Sequence, residues 1–387
     1  MKRRHFLRAL GGVACSAAAH PWLTSVTFAE GAALGDNRLV VVILRGAMDG
    51  LDVVQPRGDN GFAALRPTLA AAPATALDDR FHLHEAASGL MPLWTAGELA
   101  FAHATSTPYR DKRSHFDGQD QLEAGTGPDV TAAAARDGWL NRLLQVVPGT
   151  TADTAYAVGR EGMLILSGAA PTRTWAPDQD LALSGQGRLL IDHVAHDDDL
   201  FREAVTEALA LTEGQGRTEP VGDEVDGLVD FTAERLRGAT RVASFSLTGW
   251  DTHRGQTKAI RRPLDRLQRV VLRMKDQLGP EIWGRTALLA MTEFGRTVRE
   301  NGSGGTDHGT GGVMLAAGGA VKGGQVLGRW PGLGEGDLYA GRDLMPTTDV
   351  RDWAAQAMAG LYGLDAGRLE GSVFPGLRME APRGLIL

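Results

Sequence analysis

The sequence predicts an α/β fold, a three-layer sandwich whose mostly parallel central sheet lies between helices, with an inserted cap. Two patterns predict it. Leu39-Val-Val-Val-Ile-Leu44 is a continuous apolar, β-branched run stopped by Arg45-Gly46, as expected of a strand buried on both faces. Similar runs recur at Leu99–His103, Val242–Leu247, Ala287–Met291 and Val313–Ala317, and helical patterns separate them, the rhythm of a sheet covered by crossover helices.

Taken in order, the chain opens on Arg3-Arg4-His5-Phe6-Leu7, a weakly apolar Ala/Gly run to Ala19, and Thr27-Phe28-Ala29 with small residues at −3 and −1 of a cleavage point. That order reads as a twin-arginine signal over residues 1–29, so the mature chain, 30–387, is expected in the periplasm or outside the cell. No other stretch reaches the roughly 18 apolar residues of a membrane span. A helix is expected over Ala86–Ala96. Between Gly125 and about Thr218 the rhythm blurs, with short runs such as Met163-Leu-Ile-Leu166, and this stretch is read as the insertion or cap. Ile260, Leu264, Leu267, Val271, Met274 and Leu278 recur at three- and four-residue spacing, predicting a helix that Pro263 kinks near its start. Residues 302–312 are a Gly-rich loop by composition.

Composition narrows the function. At 387 residues the chain can bury roughly three quarters of its unfolded surface and needs no disulfide or metal staple. It carries 40 basic and 47 acidic residues; the signal holds four of the basic ones, leaving 36 against 47, a net of −11. With no dense Lys/Arg stripe, nucleic acid is excluded as a partner. The one Cys, Cys15, lies in the signal, so the mature chain has no thiol for a nucleophile, an Fe–S cluster or a Cys-ligated zinc.

In open parallel sheets ligands bind beyond the carboxyl ends of the strands, and the residues there are polar. The first run is followed by Arg45-Gly-Ala-Met-Asp49-Gly-Leu-Asp52 and the second by Arg113-Ser114-His115-Phe-Asp117. The third is followed by Trp250-Asp251-Thr-His253 and the fourth by Thr292-Glu293-Phe-Gly-Arg296; the fifth is preceded by Thr306-Asp307-His308-Gly. Asp, Glu and His are the donors of a hard or borderline divalent cation, which would also relieve the repulsion among converging carboxylates. Candidate metal ligands are therefore Asp49, Asp251, His253, Glu293, Asp307 and His308. Local readings stand beside these: Asp49-Gly50 suits a turn, Ser114-x-x-Asp117 a helix start, and Glu293 with Arg296 an ion pair. His82 and His84 alternate as on an exposed edge strand, and His193 and His196 precede an acidic run that suits a solvated helix start.

LVVVILRGAMDGLD, RSHFDGQD, GWDTH, TEFGRT and GTDHG, with GGVMLAAGGAVKGG following, resemble in unbroken order the exported bacterial family catalogued as domain of unknown function 1501. That family resembles in turn the alkaline phosphatase superfamily, with its sulfatases and cofactor-independent phosphoglycerate mutases. The resemblance implies an alkaline-phosphatase-like fold and a Ser or Thr nucleophile at a helix N-terminus beside metal ions held by Asp and His. Carried over, Asp49 stands for the Asp after the first strand, Ser114 for the nucleophile, Asp251 and His253 for the Asp-His pair, and His308 for the last His ligand. The pair is spaced here by one residue instead of three, and Glu293-Phe-Gly-Arg296 replaces a contiguous Asp-His. One divalent ion is therefore expected, not two.

The expected activity is hydrolysis of a phosphate or sulfate ester, on a small-molecule or glycan substrate. Ser114 would attack, His115 would act as general acid or as a ligand, and Arg45, Arg113 or Arg296 would neutralise equatorial oxygens in place of a second metal. The alternative is a non-catalytic member of the family that binds an anionic glycan, lipid or partner protein.

Overall fold

The computed structural model describes residues 34–110, 112–128, 137–176, 224–380 and 384–387. The expected signal, His193, His196 and much of the expected cap lie outside the described residues. The central sheet contains β1 (Arg38–Leu44), β2 (Leu99–Ser106), β3 (Ala155–Val158), β4 (Arg173–Trp175), β5 (Val242–Leu247), β6 (Thr286–Met291), β7 (Gly312–Ala317), β8 (Gln325–Leu327) and β9 (Thr348–Asp349). Their order across the sheet is β8-β2-β7-β6-β1-β5-β3-β4, with β9 beside the end of β2.

β1 is the middle of the sheet because every one of its residues is apolar after Arg38 and all are buried. It pairs in parallel with β5 on one side and β6 on the other, Leu39 opposite both Val242 and Ala287. Alternate side chains then enter two cores: Leu39, Val41 and Ile43 on one face, Val40, Val42 and Leu44 on the other. Burial of each such side chain contributes about 1.5–3 kcal/mol, which is why a run apolar at every position specifies a doubly covered strand. The first core is closed by α2 (Trp139–Val146) and α5 (Val350–Tyr362), the second by α3 (Glu224–Arg237) and α4 (Arg261–Trp283). The mixed α/β architecture and its three layers are those the apolar runs imply.

β7 is the exception to the parallel order: it runs antiparallel to both β2 and β6. Its start therefore lies at the edge where the parallel strands end. This reversal carries the loop ahead of β7, with Asp307 and His308, to the same edge as the segments that follow β1, β5 and β6.

Other expectations need correction. Pro263 coincides with a one-residue break at Ile260, between a short helix over Gln256–Ala259 and α4, consistent with the N–H that proline lacks. The larger departure is Gly279, at φ 67° and ψ 171° just before Pro280, which ends the regular part of α4 near Leu278. Ala86–Ala96 is a 3₁₀ segment (Glu85–Leu90) running into a five-residue helix (Met91–Thr95). His82–His84 is not an exposed edge but the middle strand of a small sheet between Val54–Gln55 and Ala74–Ala76. His84 is buried and its Nδ1 accepts from the Ala86 amide at 3.0 Å, capping the 3₁₀ segment. Of the stretch read as a cap, described residues 137–176 supply α2 and the outer strands β3 and β4 to the main domain. No described helix is long and apolar enough to cross a membrane.

Candidate metal centre

Four of the expected segments meet at the carboxyl edge. Asp251 follows β5, and its Oδ1 lies 2.9 Å from His253 Nε2, 3.3 Å from His308 Nε2 and 3.4 Å from His115 Nε2. His253 Nε2 and His308 Nε2 are themselves 2.9 Å apart. Ligand atoms of His115, Asp251 and His308 all fall within 4.8 Å of one another, a spacing one ion can span.

The far side of each ring decides what these nitrogens are. His115 Nδ1 is 2.7 Å from Glu293 Oε1, His308 Nδ1 is 2.9 Å from the Arg113 carbonyl, and His253 Nδ1 is 3.3 Å from Asp307 Oδ1. A carbonyl accepts only, and so does an ionised carboxylate, so each Nδ1 donates. In the neutral rings each Nε2 is then a lone pair turned toward Asp251; that of His253 also has Arg296 Nη1 as a donor at 3.4 Å, and that of His115 is buried without a hydrogen-bond partner. Lone pairs gathered around a carboxylate repel unless a cation lies among them; the Arg296 guanidinium reaches Asp251 and His253, and leaves the lone pairs of His115 and His308 for a further cation. Imidazole backed by an oxygen acceptor on its other nitrogen is the usual state of a metal-binding histidine. These residues fit one divalent cation that accepts nitrogen with oxygen, of the zinc, manganese or iron(II) type, better than magnesium or calcium.

Titration follows the same contacts. The hydrogen bond to Glu293 leads the effects that hold His115 above the usual imidazole range, against its burial. Burial pushes His308 below it. For Asp251, burial works upward but is outweighed by the charge and hydrogen bond of Arg296, then by His253 and His115, so its carboxyl stays low.

Arg296 is wholly buried, and its Nη2 donates to Asp251 Oδ1 at 2.6 Å. The guanidinium also donates to the carbonyls of Gly46, Ala47, Trp250 and Thr306. It ties three strand-end loops together and fixes the carboxylate. Gly46, at φ 116°, is what lets them approach: a Cβ there would lie 2.7 Å from the Asp251 amide nitrogen. Gly295 serves likewise, since a Cβ would meet the Gly311 carbonyl oxygen at 1.9 Å. Phe294 stacks on His115, ring centroids 5.3 Å apart, and walls one side.

Three expected ligands stand outside the shared space. Asp49 is buried with Arg66 Nη1 at 2.9 and 2.8 Å from its two oxygens, and Gln256 Nε2 at 2.6 Å and Thr306 Oγ1 at 3.2 Å from Oδ2. The Arg66 guanidinium already supplies the cation Asp49 requires, and Asp49 also caps the turn that follows by accepting from Leu51. Glu293 lies behind His115, on the Nδ1 side of the ring, so it supports the cluster from outside. Asp307 is likewise behind His253, bonded also by Asn301 Nδ2 at 3.1 Å. Ser114 begins α1 (His115–Ala124), and its Oγ accepts from the Asp117 amide at 3.4 Å, the helix-start reading of Ser-x-x-Asp.

Sequence reasoning did not single out Arg66, Gln256, Asn301 or Gln119. Gln119 had a signal: it is four residues after His115, on the same helix face. Its Nε2 donates to Glu293 Oε1 at 3.1 Å and its Oε1 accepts from Arg45 at 2.8 Å. Arg66 and Gln256 had none, because what they bind is set by tertiary approach.

No curated protein matches the chain. Among solved structures it is similar to a protein of the alkaline phosphatase superfamily from Vibrio parahaemolyticus (12% identity, 86% of this chain and 68% of that one, TM-score 0.39). It is similar also to the lipoteichoic acid synthase LtaP from Listeria monocytogenes (9%, 86% and 73%, TM-score 0.41) and to the sulfatase PsFucS1 from Pseudoalteromonas sp. (13%, 90% and 73%, TM-score 0.40). At these scores nothing about activity follows from the likeness. The sequence itself matches, over residues 84–373, the family described as "Protein of unknown function (DUF1501)", and the chain belongs to that family.

Proposed function

We propose that this protein is an exported, metal-dependent hydrolase of phosphate or sulfate esters, with one divalent ion held by His115, Asp251 and His308 and flanked by His253. The observation that carries the metal reading is the convergence of three Nε2 atoms on Asp251 Oδ1 while each Nδ1 is tied to an oxygen. The ion, when bound, supplies positive charge for the oxygens of an anionic ester and lowers the pKa of an attacking hydroxyl.

The chain's own residues supply the rest. Arg296 keeps Asp251 ionised and aimed. Arg113, whose carbonyl lies 2.9 Å from His308 Nδ1 and whose half-exposed guanidinium pairs loosely with Asp343 at 3.9 Å, is the cation proposed to meet the anion. Ser114 is the proposed nucleophile; its long bond to the Asp117 amide is one that a rotation of the side chain gives up. The substrate is a small-molecule or glycan ester.

A second reading, a binding protein without turnover, is favoured by two contacts: the Ser114 hydroxyl serves as a helix cap, and Arg296 occupies one side of Asp251. The deciding experiment is hydrolysis of aryl phosphate and aryl sulfate esters by the metal-loaded mature protein, beside Ser114→Ala and His308→Ala. Turnover lost in both supports the hydrolase. Turnover kept in Ser114→Ala removes the serine from the mechanism, and none in the wild type supports binding alone. Export by the twin-arginine route, and a cap within residues 125–218, belong to the same proposal. Replacing Arg3 and Arg4 with Lys should retain the protein in the cytoplasm, and unchanged export would refute that part.

A further inference from the structure

The Glu293 carboxylate has no exposure at all, and each of its oxygens is spoken for. Oε1 accepts from the Gly46 amide at 2.9 Å, from Gln119 Nε2 at 3.1 Å and from His115 Nδ1 at 2.7 Å; Oε2 lies 2.8 Å from Thr292 Oγ1, whose one hydrogen it shares with the Leu44 carbonyl, also at 2.8 Å. Three donors at one oxygen leave no room for a proton there. Gln119 cannot reverse its amide to relieve them, because its Oε1 is held by Arg45 Nη1 at 2.8 Å, and Arg45 is held in turn by Glu123 at 2.8 Å and Glu161 at 2.7 Å.

His115 thus stands between two carboxylates, and only one of them takes its proton. Glu293 lies at hydrogen-bonding distance from Nδ1, whereas Asp251 Oδ1 is 3.4 Å from Nε2, and Nε2 makes no hydrogen bond. From this competition we infer that Glu293 is a positioning residue: it keeps the His115 proton on Nδ1, so that Nε2 presents its lone pair to the space shared with Asp251 and His308. Neutral imidazole in water prefers its proton on the other nitrogen, so the residue that reverses the preference determines whether His115 can be a ligand. The inference rests on the reading of His115, Asp251 and His308 as a metal-holding set, but the proton's place can be observed without metal.

The substitutions follow from the contacts. Glu293→Gln presents its amide oxygen to the same three donors and retains the arrangement. Glu293→Met fills the space without an acceptor, and the proton moves to Nε2, where Asp251 can take it. Long-range proton–nitrogen correlation spectra of the ¹⁵N-labelled, metal-free mature protein, recorded at about pH 9 to favour neutral imidazole, report which nitrogen of His115 is protonated. A competition titration with zinc reports its consequence.

The expected result is Nδ1–H in the wild type and in Glu293→Gln, and Nε2–H in Glu293→Met. Zinc binding should weaken about 10- to 100-fold in Met and much less in Gln. Nε2–H in the wild type overturns the inference, as does a Met variant whose tautomer is unchanged. Should Glu293→Met fail to fold, the wild-type and Gln spectra still decide. If the tautomers behave as expected and the wild type binds no zinc, the positioning role stands and the metal-dependent function fails.

Discussion

The guanidinium of Arg296, fully buried, reaches Asp251 Oδ1 at 2.6 Å while donating also to main-chain carbonyls of three loops and to His253 Nε2 at 3.4 Å. A charged group so placed both builds the edge of the sheet and aims the carboxylate at its centre. Arg296→Lys keeps the charge but cannot reach five acceptors from one point. It should destabilise the fold by on the order of 3 kcal/mol, since several buried carbonyls lose their donor. Urea denaturation checks this, and a change below about 0.5 kcal/mol, within the usual range of a neutral surface substitution, would show that the contacts carry no weight.

Asp49 and Arg66 form a second buried pair, 2.8 Å apart and both essentially without exposure. Removing one partner of such a pair strands the other charge and typically costs about 3–5 kcal/mol. Arg66→Ala should therefore be severely destabilised, and Asp49→Asn less so because it keeps an acceptor for Arg66. If Asp49 has the structural role its contacts describe, Asp49→Asn also keeps the wild-type number of bound metal ions. Loss of metal with the fold intact would return Asp49 to the ligands.

These two arginines mark how far the sequence could be read. The strands were legible because burial on both faces demands a run apolar at every position, and Leu39–Leu44 has one. The site was legible as clusters because strand ends collect at one edge. Asp251, His253 and His308 meet there. Which carboxylates face the shared space was not legible: a carboxylate after a strand looks the same whether Arg66 or a metal ion neutralises it. Nor does the pattern Val313–Ala317 show the direction of β7, on which the arrival of His308 depends. His84 was misjudged because alternation alone does not say whether an edge is covered.

Stability should depend on pH through Asp52. Burial, and then the charge of Asp49, push its carboxyl up to about 6. Between about pH 4 and 6 the folded state keeps a proton that the unfolded chain has released, so this group's contribution is full below about pH 4 and lost as pH rises through 6. The loss is on the order of 3 kcal/mol. Asp52→Asn removes the titration, so its stability relative to the wild type should climb between pH 4 and 7. A difference that stays flat over that range would contradict the assignment.

Gly46 combines a left-handed φ with a main chain that passes against Asp251. Gly46→Ala should cost about 2 kcal/mol or more through strain and overlap. Because Gly46 also donates to Glu293, the same substitution should weaken zinc binding. Thermal unfolding and a zinc titration of one preparation test both, and wild-type values for both would contradict the role given to this residue.

The most direct measurement is the metal content of the mature protein, by elemental analysis after export and again after loading with zinc and removal of excess, beside Asp251→Ala and His308→Ala. One bound ion per wild-type chain, lost in both variants while their circular dichroism is unchanged, is the predicted result. A wild type that holds no ion after loading, or variants that hold as much as the wild type, would contradict the proposal that His115, Asp251 and His308 form a metal centre.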